Sequence, residues 1–269
     1  MKGDGNRPLQ GLPEAGIESD HPVYAVPYQA VQAIVSRVPL EQYDQEPLEN
    51  NVNDMEWLEE KVRAHQRVLD EVSADHTLIP MKFCTIGRGE DGVQEILAQH
   101  YEGFLDALNR LDGKQEWGVK VYCDSDALYG RVLEASERLR DLKSSVAGKP
   151  SGAAYFQKKM LEKEIVEEAE RVADECAQRS QDRLAAYAER SVINALQDKE
   201  ITGRKEEMIL NGAYLVAEDQ FAAFQTELRG LTEEYSGLGF THELTGPWPP
   251  YNFVEIDSQG DVGDGSTGG

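Results

Sequence analysis

Between Pro22 and Phe253 the apolar positions switch between a two-residue period and a three-to-four-residue period, and the switches mark out strands and helices. Val23, Tyr24, Ala25 and Val26, then Ala33, Ile34, Val35 and Val38, closed by Pro39, form a β-rich stretch. From Glu46 to Ser73 the residues Leu48, Val52, Met55, Leu58, Val62, Leu69 and Val72 step mostly by three or four, which predicts a helix with one buried stripe. Thr77 to Ile86 is apolar and β-branched but interrupted by Pro80, and reads as an edge strand or a bulge. Gly92 to Leu111 returns to helical period through Ile96, Leu97, Phe104, Leu105 and Leu108, and Asp112-Gly113 stops it.

A second unit opens where Trp117, Val119 and Val121 alternate with Gly118, Lys120 and Tyr122, the pattern of a half-buried strand. Asp124 or Ser125 caps a helix running towards Leu142, and Ser144 to Gly152 is a Ser/Gly/Pro linker. The longest helix follows, from about Ala153 to Glu189, with Leu161, Ile165, Ala169, Val172 and Cys176 inward and Glu, Lys and Arg outward. Its alternating charges suit a coiled coil, but an intramolecular pairing with the helix from Ser125 is the simpler expectation. Ser191 to Leu196 and Met208 to Val216 read as strands separated by a polar turn, Asp219 to Tyr235 as a helix, and Phe240 to Thr245 as a last strand. Apart from one doubled helix, this order is the split βαβ pattern of a ferredoxin-like domain. The fold class is therefore α+β in two domains. An irregular arm over 1–20 precedes a smaller N-terminal α+β domain over 21–113. The C-terminal ferredoxin-like domain, with its extra long helix, occupies 114–254, and a disordered acidic, Gly-rich tail occupies 255–269.

Charge narrows the function. Lys and Arg number 27 against 50 Asp and Glu, a formal charge of −23 over 269 residues. Nucleic acid and anionic lipid both demand a basic footprint, so neither is an expected partner. The three cysteines, Cys84, Cys123 and Cys176, are odd in number and far apart, which implies no disulfide framework and fits a reducing cytoplasm. No apolar run approaches the roughly 20 residues of a membrane span, and Met1 to Pro13 has no signal-peptide core.

Candidate chemistry is sparse. Gly87 to Gly92 is a formal G-x-G-x-x-G, but Glu90 and Asp91 place two carboxylates where a pyrophosphate would sit, so a loop with ordinary helix-dipole compensation is the better reading. A nucleotide-binding protein or an enzyme using this loop is the alternative function. His21, His65, His76, His100 and His242 show no metal-ligand spacing; His65 is read as a helix-surface or partly buried histidine rather than a catalytic one, and Asp124-Ser125-Asp126 as a cap. No nucleophile–base–orienter set stands out, so no catalytic residue, cofactor or metal is assigned and the chain is not read as an enzyme. The unusual segment is Glu243 to Val254, with Trp248-Pro249-Pro250-Tyr251 at its centre. Proline holds it extended, which aligns Tyr251 with Phe253. The aromatics either close the second domain's core or form a stiff docking surface. The expectation is mixed, with Trp248 buried and Tyr251 and Phe253 partly exposed. Trp248, Tyr251 and Phe253 are thus the partner-contact candidates.

The run Glu243-Leu-Thr-Gly-Pro-Trp-Pro-Pro-Tyr-Asn-Phe253 resembles the terminal motif of the gas vesicle protein GvpF/GvpL family. Trp57-Leu58 with Ala64-His65, Pro80 to Phe83 followed by Thr85, Glu116 to Val121, and Asn211 to Val216 agree with it in order. The resemblance covers most of the chain. It implies an accessory or minor structural protein of gas vesicles that helps assemble the shell from a small hydrophobic subunit. The implied partners are that shell protein and other accessory proteins, and the implied location is the cytoplasm and the gas vesicle. No catalytic residues come with the family. Met1 to Asp20 offers no counterpart of the family's opening strand of the Tyr-Leu-Tyr-Gly-Ile type: either the first sheet lacks a strand or the start falls too late.

Overall fold

The computed structural model describes residues 11–146 and 151–254, with side chains 146 and 151–154 left aside. The expected tail, the first half of the arm and the centre of the linker lie outside the described residues. Mixed helix and sheet, as the periods predict, divides into two compact units. The described parts of Met1–Gly113 and Trp248–Gly269 make the first, and Lys114–Pro247 makes the second.

In the first unit, β1 (Val23–Tyr28) and β2 (Val31–Ser36) form an antiparallel hairpin with Val23 opposite Ser36 and Tyr28 opposite Val31. Its two-residue turn places Gln29 at φ +50°, the left-handed region that such tight turns demand. Short helices α1 (Leu40–Tyr43) and α2 (Gln45–Asn51) lead to α3 (Met55–Ser73). The single helix expected over Glu46–Ser73 is thus two. It breaks at Val52–Asp54 because the Asp54 carboxylate accepts the N–H groups of Glu56 and Trp57 at 3.0 and 3.4 Å and starts a new helix. The next expected helix likewise splits at His100 into α4 (Gly89–Gln99) and α5 (Tyr101–Leu111). Val31, Leu97, Phe104 and Leu108 form the core between the hairpin and these two helices. Thr77–Ile86 is irregular rather than an edge strand, with Thr85 N–H turning back to the Lys82 carbonyl.

The described end of the arm is irregular but firmly held. Ile17 N–H donates to Ser36 Oγ at 3.2 Å, and Arg67 donates to the Gly16 carbonyl at 2.9 Å. Glu18 accepts from the Tyr43 hydroxyl at 2.7 Å and from Lys61 Nζ at 2.9 Å, where Lys61 is almost wholly buried.

The second unit runs β3 (Lys114–Cys123), α6 (Ser125–Ala135), α7 (Glu137–Val146), α8 (Ser151–Ala185), β4 (Arg190–Ile193), α9 (Lys199–Thr202), β5 (Glu207–Ala217), α10 (Phe221–Ser236) and β6 (Phe240–Trp248). The sheet order is β4-β5-β3-β6, with the first and third strands central and the second and fourth at the edges. That interleaving is the split βαβ arrangement read from the sequence. β5 pairs antiparallel with both β3 and β4. The helix expected from Ser125 to Leu142 breaks at Ser136, whose hydroxyl accepts the Leu139 N–H at 3.3 Å. Ser144–Val146, expected as linker, continues α7, and the polar turn before β5 contains α9. Val119, Val121, Cys176, Leu184, Tyr214, Val216, Phe224 and Leu231 are among the residues of the core, where α8 and α10 cover the sheet.

The sequence reading ended the second domain at 254, whereas Trp248 onward groups with the first unit. Gly246, at φ +114°, and the cis Gly246–Pro247 peptide lie at the changeover. Both ends of the described chain therefore build the first unit.

Candidate functional site

The aromatic segment does not continue extended past Pro249. Tyr251 N–H donates to the Pro249 carbonyl at 2.7 Å and Phe253 N–H to the Pro250 carbonyl at 3.2 Å, so the chain turns twice within five residues. The turns undo the two-residue alternation that aligned Tyr251 with Phe253. Phe253 is 2% exposed and Pro249 is buried, while Trp248 and Tyr251 are 45% and 46% exposed. The expectation of a buried Trp248 and a partly exposed Phe253 is reversed. Burial, together with the Asp70 carboxylate of α3, raises the Tyr251 phenol above its ordinary pKa and keeps it neutral. Phe253 thus anchors the segment and Trp248 and Tyr251 present aromatic surface. Pro247, Pro249 and Pro250 stiffen the backbone that carries them. Such an arrangement sets two half-exposed aromatic rings beside a buried anchor.

The other motifs resolve into structure. Gly87 packs where a side chain would meet Val93, and Glu90 in the first turn of α4 lies 4.0 Å from Arg37. The Gly-rich loop is closed against its own helix. His65 packs edge-on to Phe83 with ring centroids 5.7 Å apart, and burial lowers its pKa despite an opposing backbone contact from Met81. Asp124 accepts the Ala127 N–H at 3.1 Å as the cap of α6. Cys123 and Cys176 are buried and free, their thiols pushed up to about 11 and about 12, first by burial. Among the described residues no three His, Cys, Asp or Glu side chains cluster as a metal site, and no helix is long and apolar enough to cross a membrane.

One pairing was not visible in the sequence. Ser180 Oγ on α8 and His242 Nε2 on β6 are hydrogen-bonded at 3.1 Å. Burial lowers the imidazole to about 4. The pair has the composition of a nucleophile and its base, but Ser180 is fully buried and, among the described residues, nothing hydrogen-bonds His242 Nδ1 to orient the ring. It joins helix to sheet. A separation of 62 residues leaves no sequence signal for it.

The stretches singled out in the sequence meet in space within each unit. Trp57 packs on Tyr43 with centroids 5.4 Å apart and donates to Gln42 Oε1 at 3.2 Å. Trp117 stacks on Phe221 at 4.0 Å, and the buried Tyr214 hydroxyl donates to Gln181 Oε1 at 2.6 Å. With these contacts and the terminal segment in view, the comparison with known proteins is direct. Residues 3–255 match the family described as Gas vesicle synthesis protein GvpL/GvpF. The chain belongs to the GvpL/GvpF family. Gas vesicle protein L of Streptomyces sp. (strain CB03234) is 31% identical over 253 residues, covering 93% of this chain and 90% of that protein. Gas vesicle protein F of the same strain is 31% identical over 192 residues, covering 71% and 76%. The fold agrees with two crystal structures of GvpF. That from Microcystis aeruginosa matches with a TM-score of 0.62 at 18% identity over 93% of this chain and 96% of that one. That from Anabaena sp. PCC7120 gives 0.66 at 17% over 94% and 93%. This GvpL/GvpF chain therefore has a gas vesicle-related role, and the stretches singled out in its sequence fall largely on packing residues, with Trp248 and Tyr251 as the large aromatic side chains left exposed.

Proposed function

We propose that the protein is an accessory or minor structural protein of gas vesicle assembly, working in the cytoplasm and at the gas vesicle. It acts by binding the hydrophobic shell protein and other accessory proteins rather than by catalysis. The observation that carries this reading is the terminal motif of a gas vesicle family holding two half-exposed aromatics on a proline-stiffened, Phe253-anchored turn. Rigid aromatic surface docks an apolar partner with little loss of conformational freedom. A strongly acidic chain suits the task, because its net charge of −23 keeps a complex with an aggregation-prone apolar subunit dispersed.

The test is a pull-down of the shell protein by the full chain, compared with Trp248→Ala and Tyr251→Ala. Each variant should keep its fold and weaken binding by about 2 kcal/mol, the scale of an interface hot spot. Full binding by the double variant would reject this surface. Failure of the unaltered chain to bind the shell protein would reject the proposed function.

A further inference from the structure

The longest helix carries an exposed stripe that its own unit leaves uncovered. Tyr155, Phe156 and Met160 are 64%, 69% and 57% exposed on α8, an unusual density of large apolar side chains on a solvated face. The stripe continues in steps of three and four through Phe156, Lys159, Met160, Lys163, Val166, Glu167, Glu170 and Asp174. It points away from Leu161, Ala169 and Cys176, which are buried in the core of the second unit.

Charge along this stripe is segregated. Residues 138–163 contain seven Lys and Arg against two Asp and Glu, inside a chain whose net charge is −23. Residues 164–175 contain six Asp and Glu against Arg171 alone. Lys159, Glu170 and Asp174 make no ion pair among the described residues. Among the described residues Lys163 pairs with Glu167, one turn along, at 3.3 Å on an exposed surface where such a pair contributes little.

We propose that a second copy of this chain covers this stripe, the two α8 helices pairing antiparallel about a two-fold axis beside Val166. In that register Lys163 faces the partner subunit's Glu170, and Lys159 faces the partner subunit's Asp174. Met160 falls beside the partner subunit's Ala173 and Phe156 beside the partner subunit's Ala177, small residues half-buried against their own core at the margin of the stripe. Two-fold symmetry makes every one of these contacts twice. A parallel pairing is disfavoured by the same pattern, because it sets lysine on lysine and glutamate on glutamate. The basic end of the helix selects an acidic surface, and this chain's own α8 supplies one at the matching distance. The proposal does not rest on the terminal aromatic segment, which lies in the other unit.

The test is sedimentation velocity of the full chain from about 1 to 100 μM, at low and at high salt. The unaltered chain should dimerise, and more weakly at high salt. Lys159→Glu with Lys163→Glu should weaken dimerisation by roughly tenfold or more, and Glu170→Lys with Asp174→Lys should do the same. All four positions are exposed, so melting temperatures should stay close to that of the unaltered chain. Mixing the two double variants should restore a dimer, because each then offers the charges the other lacks. A chain that stays monomeric throughout, or a dimer indifferent to both reversals and to their mixing, overturns the proposal. A monomer whose stripe variants instead lose a gas vesicle partner assigns the face to that partner and equally overturns it.

Discussion

Replacing Phe253 by alanine tests whether the terminal segment is anchored as described. The ring is 2% exposed, so its removal strips nearly the whole side chain of its apolar environment and leaves a cavity. Substitutions of this kind cost roughly 3–5 kcal/mol. Trp248 is larger but 45% exposed, so only about half its surface leaves water, worth about 2–3 kcal/mol at ~25 cal/mol per Å², and its removal leaves no closed cavity. The larger residue should therefore be the cheaper one to lose. For a chain of this size each kcal/mol corresponds to about 2–4 °C. Phe253→Ala should lower the melting temperature by roughly 10 °C, and Trp248→Ala by less. Differential scanning calorimetry on the full chain and both variants decides it, with shell-protein binding measured per folded molecule. An equal loss from the two substitutions, or a Phe253→Ala variant that melts with the unaltered chain, would show that Phe253 is no anchor.

Two further outcomes follow from buried polar groups. Lys61→Met should destabilise the first unit by roughly 3–5 kcal/mol, because it leaves Glu18 with one partner fewer in a nearly buried site; adding Glu18→Gln should recover much of that loss in chemical denaturation, and a purely additive double variant would contradict the coupling. His242 is held at about 4 by burial, below the ordinary value near 6.5, so the unfolded chain binds the extra proton first; stability present above about pH 6.5 should fall as the pH drops towards 4, and His242→Gln should flatten that part of the melting-temperature profile relative to the unaltered chain.

The elements most legible in the sequence were those whose period was clean and whose partners were near. Trp117, Val119 and Val121 announced β3, and the order of elements after Gln115 announced the interleaved sheet that β4-β5-β3-β6 displays. Helix breaks were harder, because the apolar stripe runs on across them. The break before α3 is made by a capping aspartate, Asp54, inside an Asn/Asp-rich stretch whose turn chemistry was present but outweighed by the period. The aromatic segment misled for a different reason. Alternation holds only while a chain stays extended, and the turns at Tyr251 and Phe253 depend on carbonyls that no pattern of side chains reveals. The grip on Glu18 was illegible as well, since Tyr43 and Lys61 reach it from 25 and 43 residues away.

Because the first unit takes in both ends of the described chain, its completion is tied to the order of synthesis. The ribosome delivers the arm, the hairpin and α1 to α5 first, then all of Lys114–Pro247, and only afterwards Trp248 and the Phe253 anchor. The middle unit has every strand of its sheet available before the first has its last piece, and domains fold as units while the chain emerges. A product that holds the first 247 residues but stops before Phe253 lacks the ring that fills this part of the first unit's core. The chain must therefore be translated through Phe253 before its first unit can close around that ring.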